Sequence, residues 1–133
     1  MADLREPAEL ELPSLTVVIP ALDARHQLER SLAALLDDPE IGASRVVLVD
    51  DGSRDGTAAW ASALGVRLVE TGQRRSGPAA ARNLGVEHAA PTEWLAFVDA
   101  DVVVEQGVLG RLVRTALAGG CVAAFGSYDD RPD

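Results

Sequence analysis

Short apolar runs alternate along this chain with segments of helical periodicity. "SLTVVIP" (14–20) is an apolar run closed by proline, which predicts a buried strand. Behind it, Leu28, Leu32, Leu35 and Leu36 recur at helical spacing, with Asp23 placed to cap that helix. "RVVLVDDG" (45–52) predicts a second strand, "RDGTAAWASALG" (54–65) a short helix with Gly65 at its end, and "VRLVE" (66–70) a third strand. A Gly/Arg-rich loop leads into "AAARNLGVEHAA" (79–90), a helix that Pro78 can start and Pro91 stop. The strand at 94–99 follows. A helix over about 105–118 ends at Gly119-Gly120, and "CVAAFGSY" (121–128) predicts a last strand.

Strand and helix thus alternate four times, and the strands are nearly continuous apolar runs. That pattern predicts an α/β fold: a mostly parallel sheet flanked by helices on both faces, joined by right-handed crossovers. Such sheets bind ligands beyond the carboxyl ends of their strands. Asp50, Asp51, Asp99 and Asp101 all fall at those ends, so carboxylates from two strands can converge on one crevice. Residues 1–13 predict a charged lead-in, and residues 14–133 one domain.

The 133 residues suffice for one domain with a real core. Hydrophobic content of 47% with 4% aromatic residues suits an Ala/Leu/Val-rich α/β protein. A net charge of −9 argues against nucleic-acid partners, which need a Lys/Arg footprint. All twelve basic residues are arginine, so mechanisms that require a lysine are excluded. The lone Cys121 cannot form an internal disulfide and predicts a buried strand residue in a reducing, cytoplasmic chain. No apolar run approaches the length of a membrane span, and "MADLREPAELELP" is too acidic for a signal peptide.

The stretch "WLAFVDADVVV" (94–104) carries the sharpest chemistry. Asp99 and Asp101 sit two apart inside a predicted strand, whose successive side chains alternate faces, so Leu95, Phe97, Asp99 and Asp101 share one face. Two carboxylates about 6.5 Å apart repel by only about 0.6 kcal/mol in water, so a wet strand end tolerates them unaided. A hard divalent cation gives a more specific reason, because Mg²⁺ or Mn²⁺ takes one or two carboxylates and completes its shell with phosphate oxygens. Asp50 and Asp51 follow "VVLV" without any turn demanding a doubled acid, and one of them can accept from a nucleobase imide or a ribose hydroxyl. Ser53, Asp55 and Thr57 read first as turn and cap residues. Arg82 lies one turn into its helix, either on the surface or facing an anion at the strand ends; Arg74 and Arg75 can serve the same phosphates. His26 and His88 read as surface residues, and Trp60 and Trp94 as core or rim packing. "GQRRSG" has the glycine spacing of a P-loop but lacks its Lys-Ser/Thr, and no G-x-G-x-x-G follows the first strand.

"TVVIPALD", "VVLVDDGSRDGT", "GPAAARNLG" and "FVDADVVV" stand in the order and spacing of family 2 glycosyltransferases with the Rossmann-like GT-A fold, and the chain resembles that family over about residues 15–128. The resemblance implies a nucleotide-sugar site, with a UDP-sugar as the donor. Pro20 and the Ala21-Leu22-Asp23 stretch would lie beside the base, and Asp51 would bond it with Asp50 in support. Arg82 would lie against the nucleotide, Asp99 near the ribose, and Asp101 would hold Mn²⁺ or Mg²⁺ at the diphosphate.

Two departures from the family shape the expectation. Leu22-Asp23-Ala24 replaces its usual Tyr-Asn pair, often followed by Glu, so the aromatic platform is missing. Only 32 residues follow Asp101, whereas the family's catalytic base and acceptor half come well after that motif. Asp129 and Asp130 are too close to serve as that base. The expectation is therefore an incomplete chain: a donor-binding half of an inverting enzyme that binds without transferring, with a sheet edge open to self-association. Two other readings stay open. One is a non-catalytic nucleotide-binding or sensing module. The other is a haloacid-dehalogenase-like phosphatase, because "FVDADVV" also resembles that family's nucleophile strand.

Overall fold

The computed structural model describes residues 5–127. It contains four strands, β1 (Leu15–Ala21), β2 (Val46–Asp50), β3 (Arg67–Glu70) and β4 (Trp94–Phe97). Four helices connect and follow them: α1 (Arg25–Asp37), α2 (Thr57–Ser62), α3 (Pro78–His88) and α4 (Val108–Ala118). All strands are parallel, in the order β3-β2-β1-β4.

The order explains how both faces are covered. The chain moves outward from β1 to β2 to β3, then returns across the sheet to β4. With right-handed connections, that reversal puts α3 on the face opposite α1 and α2. Side-chain alternation agrees. Val17, Ile19, Val46 and Leu48 point to one face, where they meet Leu28, Leu32 and Leu35 of α1 and Leu109 and Val113 of α4. Val18, Val47, Val49 and Val69 point to the other, against Ala81 and Leu84 of α3. α3 approaches closely because residue 85 is glycine: a Cβ there would stand 2.5 Å from Val18 Cγ1.

Several local expectations are corrected. Asp23 does not cap α1; Ala24 occupies that position, and Asp23 has a left-handed backbone (φ 49°) that aspartate tolerates better than most residues. The first helical N–H, from Arg25, is accepted instead by Asp55 Oδ2 at 2.9 Å, a residue 30 positions away. β4 stops at Phe97, so strand alternation does not carry through Asp99 and Asp101. Val98 still donates to Val18 O, but Val102 N then turns back to Asp99 O at 3.1 Å. The face shared by Leu95 and Phe97 is not core either. The two are 37% and 51% exposed, because β4 is an edge strand that α3, centred on β1 and β2, does not cover.

The expected last strand is absent over 121–127, where every residue is exposed, Cys121 included. An apolar run becomes a strand only beside a partner, and among the described residues the free edge of β4 is not paired with it. Tyr128, Asp129, Asp130 and the first four residues of the lead-in lie outside the described residues. Among those residues, no helix is long and apolar enough to cross a membrane.

Candidate nucleotide-binding cleft

Reversal of strand order between β1 and β4 opens a crevice at their carboxyl ends, the general ligand position in open parallel sheets. A cleft of about 300 Å³ lies there. Pro20, Ala21 and Leu22 from the end of β1 form its floor, Asp51 and Arg75 line it beside β2, and Asp99 lines it beside β4. The first turn of α3 closes it through Gly77, Pro78 and Ala81.

Asp51 is the best-anchored of the acids. It is only 3% exposed, and it organises the loop between β3 and α3. Its Oδ1 accepts from Thr71 Oγ1 at 2.9 Å, from Ser76 N at 3.1 Å and from the Ser76 hydroxyl, while Oδ2 accepts from Gly77 N at 3.0 Å. Burial pushes the Asp51 pKa up. The Ser76 hydroxyl, the Gly77 N–H, the Thr71 hydroxyl and the Ser76 N–H outweigh that and hold it below the ordinary carboxylate value. Asp50 is also buried, but its Oδ1 accepts from Ser53 N at 3.2 Å and it does not line the cleft.

A second anchor lies beside Asp51, outside the cleft lining. Arg74 donates to Asp23 Oδ2 at 2.7 Å and to Gly52 O at 2.8 Å, and Arg54 N donates to Asp23 Oδ1. The Arg74 guanidinium, helped by the Arg54 N–H, lowers the Asp23 pKa. Asp55 acts as the local turn chemistry suggested, its Oδ1 taking the N–H and hydroxyl of Thr57, whereas Ser53 Oγ accepts from Asp23 N, 30 positions away in the chain. Trp60 packs under the Arg25 guanidinium, 4.8 Å from its ring centre. Both histidines are exposed.

At the β4 end, Arg82 Nη2 donates to Asp99 Oδ1 at 2.8 Å. Ser31 Oγ on α1 donates to Ala100 O at 2.7 Å and pins the turn between Asp99 and Asp101. Asp101 is exposed and takes part in no hydrogen bond or ion pair among the described residues. No group of three or more His, Cys, Asp or Glu residues among them forms a protein-only metal cage. One or two carboxylates at a wet strand end are instead the donor set that suits Mg²⁺ or Mn²⁺ completed by phosphate and water. Of the residues singled out in the sequence, Pro20, Leu22, Asp51 and Asp99 line one cleft; Asp101 and Arg82 adjoin it through Asp99, and Asp50 supports it from below. Arg75, one of the two loop arginines singled out in the sequence, also lines it, and Ala21, Gly77, Pro78 and Ala81 complete the lining.

An open parallel sheet with acids at its switch point is the architecture of a nucleotide-binding α/β protein. Comparison makes that narrower: the model of Glycosyl transferase family 2 matches residues 16–133, and the chain belongs to that family. It is 35% identical over 103 residues to the succinoglycan biosynthesis protein ExoU of Rhizobium meliloti, covering 73% of this chain and 29% of that protein. Among solved structures, the mannosyltransferase PcManGT of Pyrobaculum calidifontis, in complex with GDP-Man and Mn²⁺, superposes with a TM-score of 0.70. That match has 29% identity and covers 84% of this chain and 34% of the other. Glucosyl-3-phosphoglycerate synthase of Mycobacterium tuberculosis, in complex with Mn²⁺, UDP and glucosyl-3-phosphoglycerate, gives a TM-score of 0.61 at 26% identity. It covers 79% of this chain and 40% of the other. The fold is thus the Rossmann-like GT-A fold, and the chain spans well under half of each of these three proteins.

Proposed function

We propose that this chain is the donor-binding half of an inverting glycosyltransferase that uses a metal-bound nucleotide diphosphate sugar, a UDP-sugar in the first instance. The observation that carries the reading is the cleft itself, which sets the anchored Asp51 and the Arg82–Asp99 pair on either side of the Pro20–Leu22 floor. Two structural neighbours that contain Mn²⁺ together with a nucleotide or nucleotide sugar support it. Their nucleotides differ, GDP-Man in one and UDP in the other.

In this reading Asp51 accepts from the base and Leu22 packs on it, while Asp99 lies near the ribose and Arg82 steadies the nucleotide. Asp101 would hold the divalent ion, with Asp99 adjacent. A bound ion would supply positive charge to the departing diphosphate. The acceptor hydroxyl gives its proton to a carboxylate base outside this chain as its oxygen bonds to the anomeric carbon. The bond from that carbon to the diphosphate breaks on the opposite side, its electron pair leaving with the diphosphate. The chain alone would bind without transferring. Family membership removes the ground for the phosphatase alternative.

Thermal unfolding with UDP, GDP, CDP and dTDP, each with and without Mn²⁺, tests this. A ligand at about 100 times its Kd stabilises by about 2.7 kcal/mol. A Mn²⁺-dependent rise with one nucleotide, lost in Asp101→Ala, is expected. A cooperative transition that no nucleotide moves would refute the proposal.

A further inference from the structure

Ser31 is a polar residue on the apolar face of its helix. It lies among Leu28, Leu32 and Leu35 on the buried side of α1 and is only 1% exposed. Serine is a poorer helix former than alanine, and its hydroxyl needs a partner once it is removed from water. The hydroxyl proton goes not to a carbonyl of its own helix but to Ala100 O at 2.7 Å, 69 positions along the chain.

That carbonyl occupies a particular place. Val102 N donates to Asp99 O at 3.1 Å, which closes a β-turn over residues 99–102 with Ala100 and Asp101 at its centre. The two commonest turn types differ by a flip of the central peptide: φ of the third residue is negative in type I and positive in type II. Among the described non-glycine residues only Asp23 and Arg75 have positive φ, so Asp101 has the negative φ of the first. Because a peptide is planar, the direction of the Ala100 carbonyl fixes where the Asp101 Cα sits. A flip would swing that carbonyl away from Ser31 and turn the Asp101 side chain with it.

α1 also holds the far end of the same loop. Asp38, 4% exposed just after the last turn of α1, accepts from Gly107 N with Oδ2 at 2.9 Å. Ser31 and Asp38 stand about two helical turns apart, and the segment from Ala100 to Gly107 is fastened between them. Ala100, Val102 and Val104 pack against the core on that side of the sheet. Asp101 itself is exposed and has no hydrogen bond or ion pair among the described residues. A partnerless carboxylate on a segment pinned at both ends to a buried helix is preorganised for a ligand.

We propose that Ser31 is a positioning residue for a divalent ion at Asp101: its hydrogen bond to Ala100 O keeps the turn in the state that aims the Asp101 carboxylate at the ion. The inference rests on the donor-binding reading above. Ser31→Ala is the informative variant, because it removes the hydroxyl, adds no atom and favours the helix. Calorimetric titrations with UDP, GDP, CDP and dTDP, in Mn²⁺ and in EDTA, separate the metal-dependent part of the affinity from the rest. In the parent chain Mn²⁺ should strengthen the binding of at least one nucleotide. Ser31→Ala should cut that enhancement by about tenfold, the lower end of the range for groups that orient metal ligands, and leave affinity in EDTA within about twofold. Ser31→Cys keeps a weaker donor in the same place and should lose about threefold. If Ser31→Ala shows no cooperative melting transition, Ser31→Cys carries the test with that smaller loss.

A full Mn²⁺ enhancement in the folded variant would overturn the inference and leave the donor reading standing. Equal losses in Mn²⁺ and in EDTA would make Ser31 a packing residue for the whole cleft and overturn it as well. A parent chain whose affinity for all four nucleotides is indifferent to Mn²⁺ would overturn the donor reading, and this inference with it.

Discussion

Arg82 and Asp99 join the first turns of α3 to the turn after β4, with Nη2 of the arginine 2.8 Å from Oδ1 of the aspartate. The contact spans the point where strand order reverses, so it bridges two elements that the sheet itself does not connect at this end. Both side chains remain substantially exposed, 35% and 49%. Exposed pairs of this kind contribute about 0–1 kcal/mol to stability.

Arg82→Ala is therefore expected to move the urea midpoint by the equivalent of less than about 1 kcal/mol. If the cleft is a nucleotide site, the same variant weakens nucleotide binding far more than it weakens the fold. Parallel urea titration and calorimetry separate the two effects, and equal losses in both would assign Arg82 a purely structural role.

Gly85→Ala acts on the same helix through packing. The added Cβ would stand 2.5 Å from Val18 Cγ1 and 3.0 Å from Val49 Cγ2, two fully buried side chains. Overpacking of this kind costs about 1–3 kcal/mol. Because Arg82 lies one turn earlier, the shift of α3 should also lengthen the Arg82–Asp99 contact. A lower urea midpoint together with weaker nucleotide binding is the expected pair of results.

Asp101→Asn should leave the melting temperature within about 1 °C, because the side chain is exposed and has no partner among the described residues to lose. Any Mn²⁺ enhancement of nucleotide binding should vanish with it. An enhancement that persists in this variant would move the metal site elsewhere.

Acid should loosen the cleft before neutral conditions do. Asp51 and Asp55 lie below the ordinary aspartate value of 3.8, because hydrogen bonds to each outweigh the effect of burial. The Arg114 guanidinium likewise lowers Glu40 from 4.5. A depressed carboxyl contributes stability that is fully present above its unfolded pKa and is lost as pH falls through the folded one. Stability is expected to be flat on this account from neutrality to about pH 5 and to decline below about pH 4. Urea midpoints measured across that range check it. Asp51→Asn should flatten the decline while lowering stability at pH 7, since an amide nitrogen cannot accept from Ser76 or Gly77.

The periodicity of the chain by itself determined much of this protein. Continuous apolar runs and leucines at helical spacing located β1 to β3 and all four helices to within a few residues, because burial against a two-sided sheet leaves a local signature. The acids after those runs marked the ligand edge for the same reason: in a parallel sheet every carboxyl end points the same way. What the sequence could not decide were matters of partnership. "CVAAFGSY" has strand composition, yet over 121–127 no neighbour is present to make it one. Asp23 looks like a cap, yet it pairs with Arg74 and Asp55 takes its place at the helix. Leu95 and Phe97 read as core, and the strand order left them at an uncovered edge. Only the tertiary structure showed that the Asp51 carboxylate accepts four hydrogen bonds from one loop, in which Arg75 takes a left-handed backbone at the cleft wall. Periodicity reports whether a residue is buried; which groups meet across a sheet is set by strand order and crossover hand, and those arise only when the whole chain packs at once.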